Sequence, residues 1–169
     1  MLEVGAIIIY GSAGICKIGK IQNISFSGLG EKKQYYILEP LNCPGEKLYV
    51  PLDNELLIKR IKFLISYEDL LELINNTHEY HWVSESRMRS NLYKDTLSNY
   101  DRKSMISIAK TLHKIKNGNY EGVKKLYSVD EDMLRKITQM LYQEFSVIVN
   151  ITPEELLPFI CGEINCCKK

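Results

Sequence analysis

The sequence predicts an α+β protein of two domains, a small SH3- or Tudor-like β-barrel followed by an all-α helical domain. Two observations predict it. Short β-branched and aromatic runs separated by glycine-rich turns fill the first fifty-odd residues. From residue 66 onward the apolar period changes from two to 3.6. The boundaries read as a barrel over residues 1–56, a linker over 57–65 and a helical domain over 66–169.

The strands come first. Gly5-Ala6-Ile7-Ile8-Ile9-Tyr10 is a short apolar run, and Ile15 to Ile21 alternates imperfectly. Gln34-Tyr35-Tyr36-Ile37-Leu38 and Lys47-Leu48-Tyr49-Val50-Pro51 complete the set. Turn clusters separate them: Gly11-Ser12-Ala13-Gly14, Gly28-Leu29-Gly30-Glu31-Lys32 and Asn42-Cys43-Pro44-Gly45-Glu46.

The spacing then predicts four or five helices between residues 66 and 164. Ser66 and Asp69 form an N-cap pair ahead of Leu70, Leu71, Leu73 and Ile74. Asp101 caps a segment with apolar residues at 105, 108, 109, 112 and 115, one continuous helical face, and Asn117-Gly118 ends it. Ser128-Val129-Asp130-Glu131 reads as a capping box before Met133, Leu134, Ile137, Met140, Leu141, Phe145 and Ile148. Thr152-Pro153-Glu154-Glu155 reads as another, with proline at the first helical position.

Of the 169 residues, 45% are hydrophobic and 25% charged, the balance of a soluble globular chain, and no apolar run approaches the roughly 18–20 residues that span a bilayer. Glu3 stands where a secretory leader would be basic, so no leader is expected. Cys16, Cys43, Cys161, Cys166 and Cys167 form no C-x-x-C pair; reduced thiols in a cytoplasm are expected, with no metal and no cofactor. The net charge of +1 hides a distribution. Residues 82–125 carry 10 Lys/Arg against 4 Asp/Glu, whereas residues 1–81 carry 8 against 10 and residues 126–169 carry 4 against 7. A basic middle between acidic flanks is either a surface for a polyanion or a solvated helical face.

Enzyme signals are poor. Gly14-Ile15-Cys16-Lys17-Ile18-Gly19-Lys20 fits the start of a phosphate-binding P-loop, but Ile21 stands where Ser or Thr would bind Mg²⁺. Ile15, Ile18 and Ile21 suit a barrel strand better than the opening of a helix. His78, His81 and His113 fall at no ligand spacing, and no G-x-S-x-G occurs. A non-enzymatic role is expected.

The segment from His78 to Leu92, HEYHWVSESRMRSNL, is more informative. It holds the lone tryptophan, Trp82, just before a basic helix in which Met88 and Leu92 would face the core. Trp82 could plug a joint between helices. It could also serve as an apolar wedge beside arginines, which suits a minor-groove contact.

With these motifs in order, the chain resembles the CarD/CdnL family of bacterial transcription regulators, nearly end to end. Val4-Gly5, Ile8-Ile9-Tyr10 and Gly14 fit the signature of its RNA-polymerase-interacting module, shared with the transcription-repair coupling factor. Tyr35-Tyr36-Ile37-Leu38 and Leu48-Tyr49-Val50-Pro51 stand at its later strands. Trp82 and the run Arg87-Met88-Arg89-Ser90-Asn91-Leu92 fit the tryptophan and continuation of its helical DNA-binding domain.

The resemblance implies a cytoplasmic, nucleoid-associated monomer. It would bind the RNA polymerase β subunit through an exposed strand edge of the barrel and promoter DNA through the helices. Trp82 would wedge into the minor groove at the upstream edge of the bubble and stabilise the open complex. Carried over by position, Trp82, Arg87, Arg89, Asn91 and Lys94 would contact DNA, and Ser25, Phe26, Ser27, Lys47 and Tyr49 would contact polymerase. Two departures stand out: two extra residues separate Trp82 from the Arg87 segment, and Tyr49 replaces an arginine that many relatives carry. The alternative is a protein-interaction module without direct DNA function.

Overall fold

The computed structural model describes residues 2–25 and 32–169, which divide into two compact units, Met1–Leu64 and Ile65–Lys169.

The first unit is an antiparallel sheet of strands β1 (Ile7–Tyr10), β2 (Ile15–Ile24), β3 (Lys33–Pro40), β4 (Leu48–Pro51) and β5 (Ile61–Phe63), in the order β4-β3-β2-β1-β5. Alternation places Ile8, Cys16, Ile18, Tyr36, Leu38 and Val50 in one buried cluster. Leu57 and Ile58 of a one-turn helix, α1 (Glu55–Ile58), pack against it. Among the described residues β4 and β5 stand at the two edges of the sheet.

The P-loop-like stretch is a hairpin. A 3₁₀ turn over Gly11–Ala13 joins β1 to β2, and Gly14 takes φ 72°, a left-handed angle that favours glycine. Ile15 and Ile18 are buried while Lys17 and Lys20 are exposed. The alternation of β2 is imperfect because the register shifts between Ile18 and Lys20, leaving Gly19 as an extra residue. A Cβ there would come 2.7 Å from Glu39 Oε1, so the side chain of Glu39 would have to move.

Residues 57–65, read from the sequence as a linker, are largely structured. Ile61, Lys62 and Phe63 pair with Tyr10, Ile9 and Ile8, adding a strand to the sheet. The apolar period there is too short to register as a strand, because a three-residue edge strand with one outward face shows almost no alternation.

The second unit holds α2 (Tyr67–Asn75), α3 (Ser86–Asn99), α4 (Arg102–Lys116), α5 (Ser128–Ile148) and α6 (Leu156–Ile160). The expected caps of α2 and α4 are present: the Asp69 amide donates to Ser66 Oγ, and the Ser104 amide to Asp101 Oδ1. The end of α4 is a Schellman turn, with the Asn119 amide donating to the Lys114 carbonyl and Gly118 at φ 72°. Met105, Ile108, Ala109, Leu112 and Ile115 are all buried, as the stripe predicts. They pack largely against α5, whose Met133, Leu134, Ile137, Leu141 and Phe145 are buried in turn.

Two capping expectations differ. No side chain caps α5, because the helix begins at Ser128 itself and leaves Tyr127 at the N-cap position. Pro153 lies in a turn ahead of α6 rather than inside its first turn, although Glu155 Oε2 does accept from the Thr152 amide. The chain end is pinned to the end of α5 through a bridge between Val149 and Lys168. Among the described residues, no helix is long and apolar enough to cross a membrane.

Candidate polymerase and nucleic-acid interfaces

In the first unit the candidate surface is the β4 edge. Val50 points into the core, so its neighbour Tyr49 points outward, 43% exposed, with Lys47 exposed just before the strand. β4 pairs with β3 through Leu48↔Leu38 to Pro51↔Tyr35, and among the described residues no strand pairs with its other side. Such an edge can accept a strand from a partner, with Tyr49 as a large amphipathic contact. Ser25 follows β2; Phe26 and Ser27 lie outside the described residues. The opposite edge, β5, carries Phe63, 62% exposed.

Residues 2–62 match the family model described as the CarD-like/TRCF RID domain. Over these residues the first unit is similar to that domain. The match covers nearly all of the unit, reaching Ile61 and Lys62 of β5, beyond the boundary expected at residue 56. The CarD-like/TRCF RID domain is an RNA polymerase β-subunit interaction module. No curated protein matches the chain.

In the second unit the candidate surface is built around Trp82, in the loop between α2 and α3. Backbone bonds hold the loop at three points. The Tyr80 amide donates to Thr111 Oγ1, the Trp82 amide donates to the Tyr120 hydroxyl, and the Val83 and Ser84 carbonyls accept from Arg89 Nη1. The Trp82 ring is half-buried, and the Arg89 guanidinium lies over it, 4.3 Å from the ring centroid. Tyr127, itself 60% exposed, stands 5.6 Å from the same guanidinium.

Arg89, expected to touch DNA, is wholly buried. Its Nε and Nη2 donate to Asp130 Oδ1 and Oδ2 at 3.0 Å each, a bidentate pair, and Nη1 serves the two carbonyls. The Tyr93 hydroxyl donates to the same carboxylate. Burial disfavours the charge of Arg89, but Asp130 more than restores it, so the guanidinium stays protonated. Burial and the neighbouring carboxylate together hold the Tyr93 hydroxyl well above its ordinary value. Wholly buried and with four of its five N–H groups engaged, Arg89 is not presented to solvent, where a phosphate would approach.

This pair also resets the phase of α3. Arg89, Tyr93 and Thr96 are its buried positions, whereas Met88, expected in the core, is 56% exposed. The apolar period misleads here because the core-facing stripe is polar and closed by hydrogen bonds. A second pair follows the same plan: Arg102 Nε and Nη2 and the Tyr100 hydroxyl donate to buried Glu144. Asp130 and Glu144 lie 14 residues apart on α5, about 21 Å of helix.

The basic middle is therefore less free than its charge count suggests. Arg89 and Arg102 are neutralised by α5, Lys114 pairs with Glu79 at 2.6 Å, and Lys110 donates to the Ile74 and Thr77 carbonyls. Arg87, Asn91, Lys94, Lys103, Lys116, Lys124 and Lys125 are exposed. Arg87, Asn91 and Lys94 lie on the outward side of α3, the helix that carries the Trp82 support, and Lys124 and Lys125 shortly precede Tyr127. Sequence reasoning missed Asp130 and Tyr127. The signal for Asp130 was an acid inside a cap motif followed by a core stripe, where an unpaired carboxylate would be buried.

Proposed function

We propose that this protein is a non-enzymatic, cytoplasmic and nucleoid-associated transcription regulator. Its CarD-like/TRCF RID domain docks on the RNA polymerase β subunit through the β4 edge, and its helical unit contacts promoter DNA, with Trp82 entering the minor groove to stabilise the open complex. The family match over residues 2–62 carries the polymerase half of this reading. Exposed Tyr49 on an edge strand, with Lys47 just before it, supports this contact. The DNA half is supported by a partly exposed tryptophan held by backbone bonds on three sides, next to a helix presenting Arg87 and Lys94. A pre-positioned ring loses little entropy on insertion. Capture on the isolated polymerase β lobe tests the first half, and open-complex lifetime with a Trp82→Ala variant tests the second. An unchanged lifetime with purified polymerase would sink the wedge role.

A second reading is a protein-interaction module without DNA function. The internal neutralisation of Arg89 and Arg102 favours it, since it removes two charges from the supply facing solvent. Salt-sensitive DNA affinity separates the two readings: its absence, with or without polymerase, selects the second.

A further inference from the structure

His113, Cys161 and Glu163 converge at the join of α4 and α6, with one candidate donor atom from each lying within 4.8 Å of the others. We propose that these three side chains form a zinc-class divalent metal site that ties the chain after α6 to the last turn of α4. The donor set is imidazole, thiolate and carboxylate, the borderline combination that Zn²⁺ takes up, leaving a fourth position for water.

The local fold brings the three together in a specific way. Cys161 is the C-cap of α6, and Gly162 takes φ 76°, a left-handed angle that reverses the chain so that Glu163 returns toward α4. The Glu163 amide donates to the Pro158 carbonyl at 2.8 Å, fixing that turn. His113 Nε2 and Glu163 Oε1 stand 3.6 Å apart. That is too long for a good hydrogen bond, yet it falls inside the about 3.3–3.8 Å edge of a tetrahedron with zinc-type bond lengths. Asn117 Nδ2 lies 3.1 Å from the same Nε2; because that nitrogen has a single lone pair, the exposed Asn117 amide gives up this contact when the metal takes it. His113 and Cys161 are half-buried and Glu163 is exposed, so two donors are held by packing and one side stays open to solvent.

Lys110 and Lys114 come near Cys161 and oppose a cation there. Lys114 is offset by its 2.6 Å pair with Glu79, and the Lys110 ammonium is turned to the Ile74 and Thr77 carbonyls. On binding, the Cys161 proton passes to solvent and the thiolate becomes the ligand.

Titration of the reduced, metal-stripped full chain with Zn²⁺ and with Co²⁺ tests this. The expected result is one equivalent bound, a near-ultraviolet thiolate-to-cobalt band, and a rise in the melting temperature of roughly 5–10 °C at hundredfold excess over Kd. Cys161→Ser should abolish the band, and His113→Gln and Glu163→Gln should each weaken binding at least about tenfold. The Cys166→Ser/Cys167→Ser double variant should keep the band. No stoichiometric binding, or a band lost with Cys166 and Cys167 but kept without Cys161, overturns the proposal. If Cys161→Ser fails to fold, the His113 and Glu163 variants decide alone: unchanged affinity in both also overturns it.

Discussion

The face of the Trp82 ring rests 4.3 Å from a guanidinium whose edges are bonded to Asp130 and to the Val83 and Ser84 carbonyls. A candidate DNA-contacting ring is thus seated on a buried ion pair that reaches across to α5. Stability of the helical unit and placement of Trp82 are consequently tied to the same residue.

Arg89→Met should destabilise the helical unit by about 3–5 kcal/mol, because it leaves the Asp130 carboxylate buried without its partner. Arg89→Met combined with Asp130→Leu should recover much of that loss, since two apolar groups need no pairing. Urea unfolding followed by circular dichroism measures both. A single variant as stable as wild type would show that Arg89 is not the anchor described.

Exposed charges on α3 should act oppositely. Arg87→Ala and Lys94→Ala are expected to change stability by less than about 0.5 kcal/mol. Each should flatten the logarithmic salt dependence of DNA binding by about 0.9 if it removes one phosphate contact. Affinity measured across a salt series, with unfolding in parallel, separates the two effects.

At the polymerase surface, Tyr49→Ala should weaken capture on the β lobe by about tenfold or more, the ordinary cost of truncating a tyrosine anchor. Phe63→Ala, on the opposite edge strand, should leave capture unchanged. A reversed result would move the docking edge from β4 to β5.

Cys16 lies in the sheet core, and burial pushes its thiol up to about 11. The folded value exceeds the unfolded one, so this contribution to stability is whole below about pH 8.5 and is lost as pH rises toward 11. Thiol reagents at neutral pH should modify exposed Cys43 and Cys167 quickly and Cys16 only on unfolding. Mass spectrometry of a labelling time course checks the order.

Periodicity made some elements legible and hid others. The α4 stripe at 105, 108, 109, 112 and 115 is visible because burial there is purely apolar, and the Ser66 and Asp101 caps are visible because their chemistry is local. Arg89 was misplaced, with Met88 taken for its core-facing neighbour, because the partner that makes an arginine suitable for the core lies 41 residues away. Among the candidate contacts, Trp82, Arg87, Asn91, Lys94, Lys47 and Tyr49 are at least partly exposed, and only burial could exclude Arg89. The same distance effect hid the convergence of His113 with Cys161 and Glu163, which a search for close-spaced ligands passes over.

The pairing of β5 with β1 bears on how the chain can be cut. A fragment ending at residue 56 would strip Ile61–Phe63 from the sheet and bare the backbone of β1 alongside Ile8 and Ile9. An uncovered, β-branched margin invites chains to stack on one another, so that piece should precipitate or form oligomers. A fragment carried through Leu64 keeps its border strand and should stay dispersed.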